Sequence, residues 1–190
     1  PYTLQASGQT SAGAWEINGS GVGSNAGEGW RAGFDGQGRF GGRNLRTLET
    51  ATLRIAGDQK AIRLRLASGD GGRVDLDADL GREATAIRAR AENLGLSAFN
   101  QDLAGSIDGT LTLSGRGDSM TGVLDAQLQD ARGRGSPAAQ GLDGALKARL
   151  AGNELAIDAA ATNEQGLRAN ANVVLPAEAS AAPFRVALHR

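Results

Sequence analysis

From about residue 50 onward, apolar and polar side chains alternate nearly one for one. Leu53 and Ile55 flank Arg54, and Ile62, Leu64 and Leu66 flank Arg63 and Arg65. Val74, Leu76 and Leu80 alternate with Asp75, Asp77 and Asp79, and Ile87 precedes Arg88 and Arg90. The pattern continues through Ile107, Leu111 and Leu113, then Leu124 and Leu128, then Leu146 and Leu150. Leu155 and Ile157 follow, then Leu167, Val173 and Leu175, and finally Phe184, Val186 and Leu188. A period of two is the signature of a strand with one apolar and one polar face. Gly-, Asp-, Asn- and Ser-rich segments separate the runs: Gly57-Asp58, 68–72, 115–119, Gly152-Asn153 and 163–166. Short strands joined by short turns predict an antiparallel meander.

The charges sharpen that reading. Arg63 and Arg65 share the polar face of one predicted strand, Asp75, Asp77 and Asp79 that of the next, and Arg88 and Arg90 that of the third. If these strands are neighbours, the signs run plus, minus, plus across the sheet. Each opposed pair contributes about 0.2–1 kcal/mol, at the low end when exposed. The larger effect is on register, because a one-residue slip would carry every charge to the apolar face.

Two stretches break the alternation. Residues 93–104 (NLGLSAFNQDLA) are expected to form a loop with one helical turn, and 131–141 (ARGRGSPAAQG) a longer loop. Residues 1–45 are dense in glycine, with Trp15-Ile17 and Trp30-Ala32-Phe34 as their alternating segments. They are taken as a separate glycine-rich β segment, with the regular repeats spanning 46–190.

Composition then limits what the strands can build. Glycine supplies 29 of 190 residues, aromatics 4%, and alanine much of the apolar content. Small side chains make a thin buried layer rather than a thick globular core. A sheet with one apolar face must cover it by curling, by pairing with a second layer, or by binding something apolar. The expected architecture is all-β: an elongated antiparallel meander curled into an open, taco-like trough. The alternating apolar residues named above would line its greasy groove, with space for lipid tails between them. About eleven strands would make it on the order of 50 Å long.

Other chemistries find little support. A formal net charge of −1 offers no strong field for nucleic acid. Cysteine is absent, which excludes disulfides and thiol nucleophiles. With a single histidine, His189, the usual general bases are scarce, so neither an enzyme nor catalytic residues are expected. No cofactor is expected. Carboxylates two apart on a strand stand about 7 Å apart, too far to share one ion, so Asp75, Asp77 and Asp79 are read as a solvated face and no metal site is expected. Gly21-x-Gly23-x-x-Ala26 matches a dinucleotide fingerprint, but no helix can follow it here. Arg116-Gly117-Asp118 falls in a predicted turn. No apolar run reaches the roughly 20 residues of a membrane helix. Nor does the N-terminus read as a signal peptide, so the chain is taken as an internal piece of a longer one.

Residues 103–131, LAGSIDGTLTLSGRGDSMTGVLDAQLQDA, resemble the recurring unit of the TamB family and its AsmA-like relatives. Gly105, Ile107, Gly109, Leu111, Leu113 and Gly115 match its first half; Gly122, Leu124, Ala126 and Leu128 match its second. A weaker echo covers 141–175, and NLGLSAFNQ is similar to the connector that often precedes the unit. The resemblance spans about residues 50–190. It implies a segment of a hydrophobic trough that crosses the periplasm of a Gram-negative bacterium, within a protein anchored in the inner membrane. Such a segment would conduct phospholipid between the membranes and support outer-membrane biogenesis and protein assembly. Its implied partners are phospholipid acyl chains and, through the full-length protein, a TamA-like outer-membrane barrel. The competing reading is an extracellular adhesive or structural β-solenoid or passenger domain, with 115–119 on display.

Overall fold

The computed structural model describes residues 1–10, 13–27, 29–40, 42–100, 102–133 and 140–176. Thirteen strands follow in chain order: β1 (Tyr2–Thr10), β2 (Gly13–Ala26), β3 (Gly29–Phe40), β4 (Arg43–Thr47), β5 (Ala51–Ala56), β6 (Gln59–Ser68), β7 (Arg73–Leu80), β8 (Thr85–Gly95), β9 (Leu103–Gly115), β10 (Thr121–Gly133), β11 (Leu142–Ala151), β12 (Glu154–Thr162) and β13 (Arg168–Pro176). All belong to one sheet, and each pairs antiparallel with its neighbours in sequence order apart from the β4–β5 step. The expected meander is therefore the observed topology. The turns follow from their residues: Gly57 at φ 56° and Gly152 at φ 61° supply the left-handed backbone of the β5–β6 and β11–β12 turns.

β4 and β5 are two halves of one rung. β4 pairs with the end of β3 and the end of β6, while β5 pairs with the remaining length of both. Leu48, Glu49 and Thr50 bow out between them. The gap is stitched by Leu48 N donating to Arg65 O at 2.9 Å, Gly36 N to Thr47 Oγ1 at 3.1 Å, and Thr50 Oγ1 to Asp35 Oδ2 at 2.8 Å. β4 also straddles residue 45, so the glycine-rich N-terminal strands belong to the same sheet as the repeats.

The two expected loops begin later than the sequence pattern suggested. β8 runs through to Gly95 and is followed by a 3-10 turn, Leu96–Ala98. β10 runs to Gly133. The apolar pattern slips phase here because each strand carries a β-bulge. On β8 one extra residue lies between Ala91, opposite Gly109, and Leu94, opposite Ile107. On β10 one lies between Leu128, opposite Gly144, and Ala131, opposite Leu142. The extra residue brings Leu94 and Ala131 back onto the apolar side. Asn93 (φ 46°) and Asp130 (φ 50°) adopt the left-handed conformation that Asn and Asp tolerate. Carboxylates of the next strands cap both: Asn93 N donates to Asp108 Oδ1 at 2.8 Å, and Asp130 N to Asp143 Oδ1 at 2.9 Å.

Among the described residues, the buried hydrophobics are Ala32, Ala78, Leu96 and Ala126 alone. Ala78 lies between Ile62 and Ile87, whose larger side chains shade it. The big aliphatic residues of the alternating rows are only half-buried. That is the mark of a single layer, in which neighbours on one face cover each other's flanks and nothing described covers their tips.

Candidate functional site: the apolar face

Directly opposed residues in an antiparallel pair share a face, so the register shows which side chains stand together. One row runs Leu64, Leu76, Ala89, Leu111, Leu124, Ala148, Ile157, Val173 across β6 to β13. A second runs Leu53, Ile62, Ala78, Ile87, Leu113, Gly122, Leu150, Leu155, Leu175. A third carries Leu66, Val74, Ala91, Gly109, Ala126, Leu146, Ala159 and Ala171. Ile107 and Leu128 oppose each other in a fourth row, while Ile55 and Leu80 each face Lys60 at the margin. The Leu, Ile and Val positions in these rows are ones expected from the alternation. Leu167 departs from it: it lies in the β12–β13 turn, 57% exposed, with its amide donating to Asn163 Oδ1 at 2.8 Å. A turn residue held by an asparagine side chain continues the alternating pattern without joining the strand. Phe184, Val186, Leu188 and His189 lie outside the described residues.

The same face continues into the N-terminal strands, where aromatics replace aliphatics. Trp15 opposes Gly8 and Phe40; Phe34 opposes Gly21 and Ala51; Ile17 opposes Ala6 and Gly38. The glycines are covered by rings. A methyl group added at Gly8 would come within 2.8 Å of the Trp15 indole, and one at Gly23 within 3.2 Å of Trp30. One added at Gly19 or Gly36 would overlap the Phe34 ring. Aromatic cover restores the apolar area that a strand glycine lacks.

A hollow of about 350 Å³ opens on this face, lined chiefly by Trp15, Ile17, Phe34, Phe40, Leu45, Leu64 and Leu66. Side chains of β2 and β6 share it although β3 and β4 lie between them, so the face is concave here. A second hollow, of about 360 Å³, adjoins it through Phe40, Leu45 and Leu66 and reaches Val74, Leu94 and Phe99. The aromatic lining was not among the positions expected from sequence. Its signal was the alternation in Trp15-x-Ile17 and Trp30-x-Ala32-x-Phe34, obscured by glycine.

One polar enclave interrupts the apolar face. Arg43, opposite Phe40, donates through Nε to Ser97 Oγ and pairs with Asp70, which also accepts from Ser68 Oγ. Ser68 and Ser97 are buried. The cluster ties β4, the β6–β7 turn and the 3-10 turn together, so the charge of Arg43 is neutralised where it meets the hollow.

On the opposite face the predicted order of charges is present in the register. Asp75 stands between Arg65 and Arg90, and Asp77 between Arg63 and Arg88. Direct contact is confined to the β6 side. Arg65 Nη2 donates to Asp77 Oδ2 at 2.7 Å, its Nη1 donates to the carbonyls of Leu64 and Leu76 at 3.0 Å each, and its Nε lies 3.6 Å from Asp75. The hydrogen bond to Asp77 is the main cause that raises the Arg65 pKa above its ordinary value, partly offset by desolvation and helped by the charges of Asp77, Asp75 and Glu49. Arg90 turns instead to Glu92 at 2.7 Å. Asp75 and Asp77 are thus matched with guanidiniums across the strands, whereas Asp79 opposes Ala61 and Ala86.

The remaining motifs fall in ordinary structural places. Gly21 and Gly23 lie within β2. Arg116 pairs with Glu83 at 2.9 Å, and Gly117 starts a 3-10 turn, Gly117–Ser119, between β9 and β10. Comparison with protein-family models, with characterised proteins and with solved structures finds no match for this chain.

Proposed function

We propose that this chain is a segment of a TamB-like trough whose apolar face binds phospholipid acyl chains and passes them along the periplasm between the inner and outer membranes. In the longer protein, that passage would support assembly of the outer membrane and its proteins in concert with a TamA-like barrel. One observation carries the reading: aliphatic rows remain in register from β6 to β13 and stay half-exposed, with no second described layer over them. An uncovered apolar surface of this extent is costly in water and favours an apolar occupant. The occupant must be adaptable, because the rows offer many similar small and branched side chains and few directional polar groups. Acyl chains meet that description. The concave aromatic stretch near Trp15 and Phe34 gives such chains a place to lodge. The antiparallel pairing also differs from the parallel coils of a solenoid, the arrangement on which the adhesive reading depends.

The test is native mass spectrometry of the purified chain with extraction of bound lipid. Phospholipid should co-purify with it. Leu64→Asp, Leu111→Arg and Leu146→Asp should each lower lipid occupancy while antiparallel circular-dichroism signatures persist. Undiminished occupancy in all three folded variants would refute the proposal.

A further inference from the structure

The polar face obeys one rule and breaks it once. With one exception, wherever two charged residues oppose each other directly across described strands their signs differ: Arg39 with Glu16, Asp77 with Arg63 and Arg88, Asp75 with Arg65 and Arg90, Arg73 with Glu92, and Lys147 with Asp125 and Asp158. The exception is Arg31 on β3, directly opposite Arg54 on β5. Like charges in that position repel and weaken the pairing. Among the described residues neither guanidinium has a carboxylate within salt-bridge distance. Arg63, opposite Thr52, stands two residues along from Arg54 on the same face, and its nearest carboxylate, Asp77, is 3.9 Å away. The three arginines border one hollow of about 640 Å³, and the one carboxylate in its lining is Asp79. Three guanidiniums therefore line a concave site with Asp79 as the one acid in its lining and Asp77 near Arg63.

We infer that this hollow is a phosphate-binding site that takes a phosphomonoester. Guanidinium forks match the terminal oxygens of a phosphate two at a time, and opposed strand positions lie close enough for both forks to reach one group. The bound anion would also relieve the repulsion between Arg31 and Arg54. The hollow exceeds the size of a phosphate, which leaves space for the group it esterifies. A lipid headgroup and a soluble phosphate ester both present this chemistry.

Isothermal titration calorimetry with inorganic phosphate at low ionic strength tests the inference. The wild-type chain should bind saturably, one phosphate per chain. Arg31→Gln with Arg54→Gln should weaken binding tenfold or more, while Arg149→Gln, elsewhere on the polar face, should leave it unchanged. Arg54→Lys should fall between, because it keeps the charge and loses the fork. Phosphate should raise the melting temperature of the wild type and not that of the double variant, whose melting temperature without phosphate should equal or exceed the wild type's. Added arms separate the sources. Tighter binding to phosphatidylcholine vesicles containing phosphatidic acid than to phosphatidylcholine alone, lost in the double variant, points to a lipid headgroup; phosphate binding without vesicle binding points to a soluble ester. Absence of saturable phosphate binding, or equal weakening by Arg149→Gln, would overturn the site.

Discussion

Phe34 spreads over Gly19 and Gly36, and the glycines are what let the ring lie flat on the sheet. Gly19→Ala should therefore cost about 1–3 kcal/mol, because the methyl overlaps the ring. Gly133→Ala, where an added methyl meets nothing within 4 Å, should change stability by less than about 1 kcal/mol. Urea unfolding of the two variants separates these outcomes, and equal destabilisation would contradict the ring-on-glycine account. Arg65 gives a second prediction at this scale. Its side chain is 25% exposed and joins two backbone carbonyls to Asp77, so Arg65→Met should lose about 1–2 kcal/mol. Arg88→Met, at an exposed position with no ion pair among the described residues, should lose less than about 0.5 kcal/mol by the same measurement. The facing of arginine and aspartate was legible in the sequence, since regular charges at every second position admit few registers. Which arginine made contact was not, because side-chain reach depends on local twist.

The bulges of β8 and β10 let the strands outlast the alternation that betrays them. A bulge shifts the hydrophobic phase by one, so the sequence reads as a break where the chain continues as a strand. That is why 93–95 and 131–133 were expected in loops, whereas the regular runs elsewhere marked strands well. The glycine-rich N-terminal strands were obscured for a different reason: their apolar cover comes from rings on neighbouring strands, a relation that sequence spacing alone does not display. Asp143→Ala removes the acceptor for the bulged Asp130 amide and should lose about 1 kcal/mol. Hydrogen exchange should then quicken at Asp130 before it does so in β12. Asn93→Gly, which keeps the left-handed backbone available, should be near neutral. A larger loss from Asn93→Gly than from Asp108→Ala, which removes the acceptor at the same bulge, would show that this bulge is held by something other than its capped backbone.

A sheet of thirteen strands with one apolar face has to satisfy that face somewhere. Few of the described side chains are buried, so they gain less from a closed core than a globule of this length would, and occupancy of the open face should add to stability. Lipid binding should therefore raise the melting temperature, by mass action on the folded state. The most direct test places photo-crosslinking residues one at a time at Leu76 and Leu111 on the apolar face and at Val123 and Val174 on the polar face, in the presence of phospholipid vesicles. Lipid adducts should form at Leu76 and Leu111 and be scarce at Val123 and Val174. Equal labelling of both faces, or adducts only on the polar one, would contradict an apolar face that carries acyl chains.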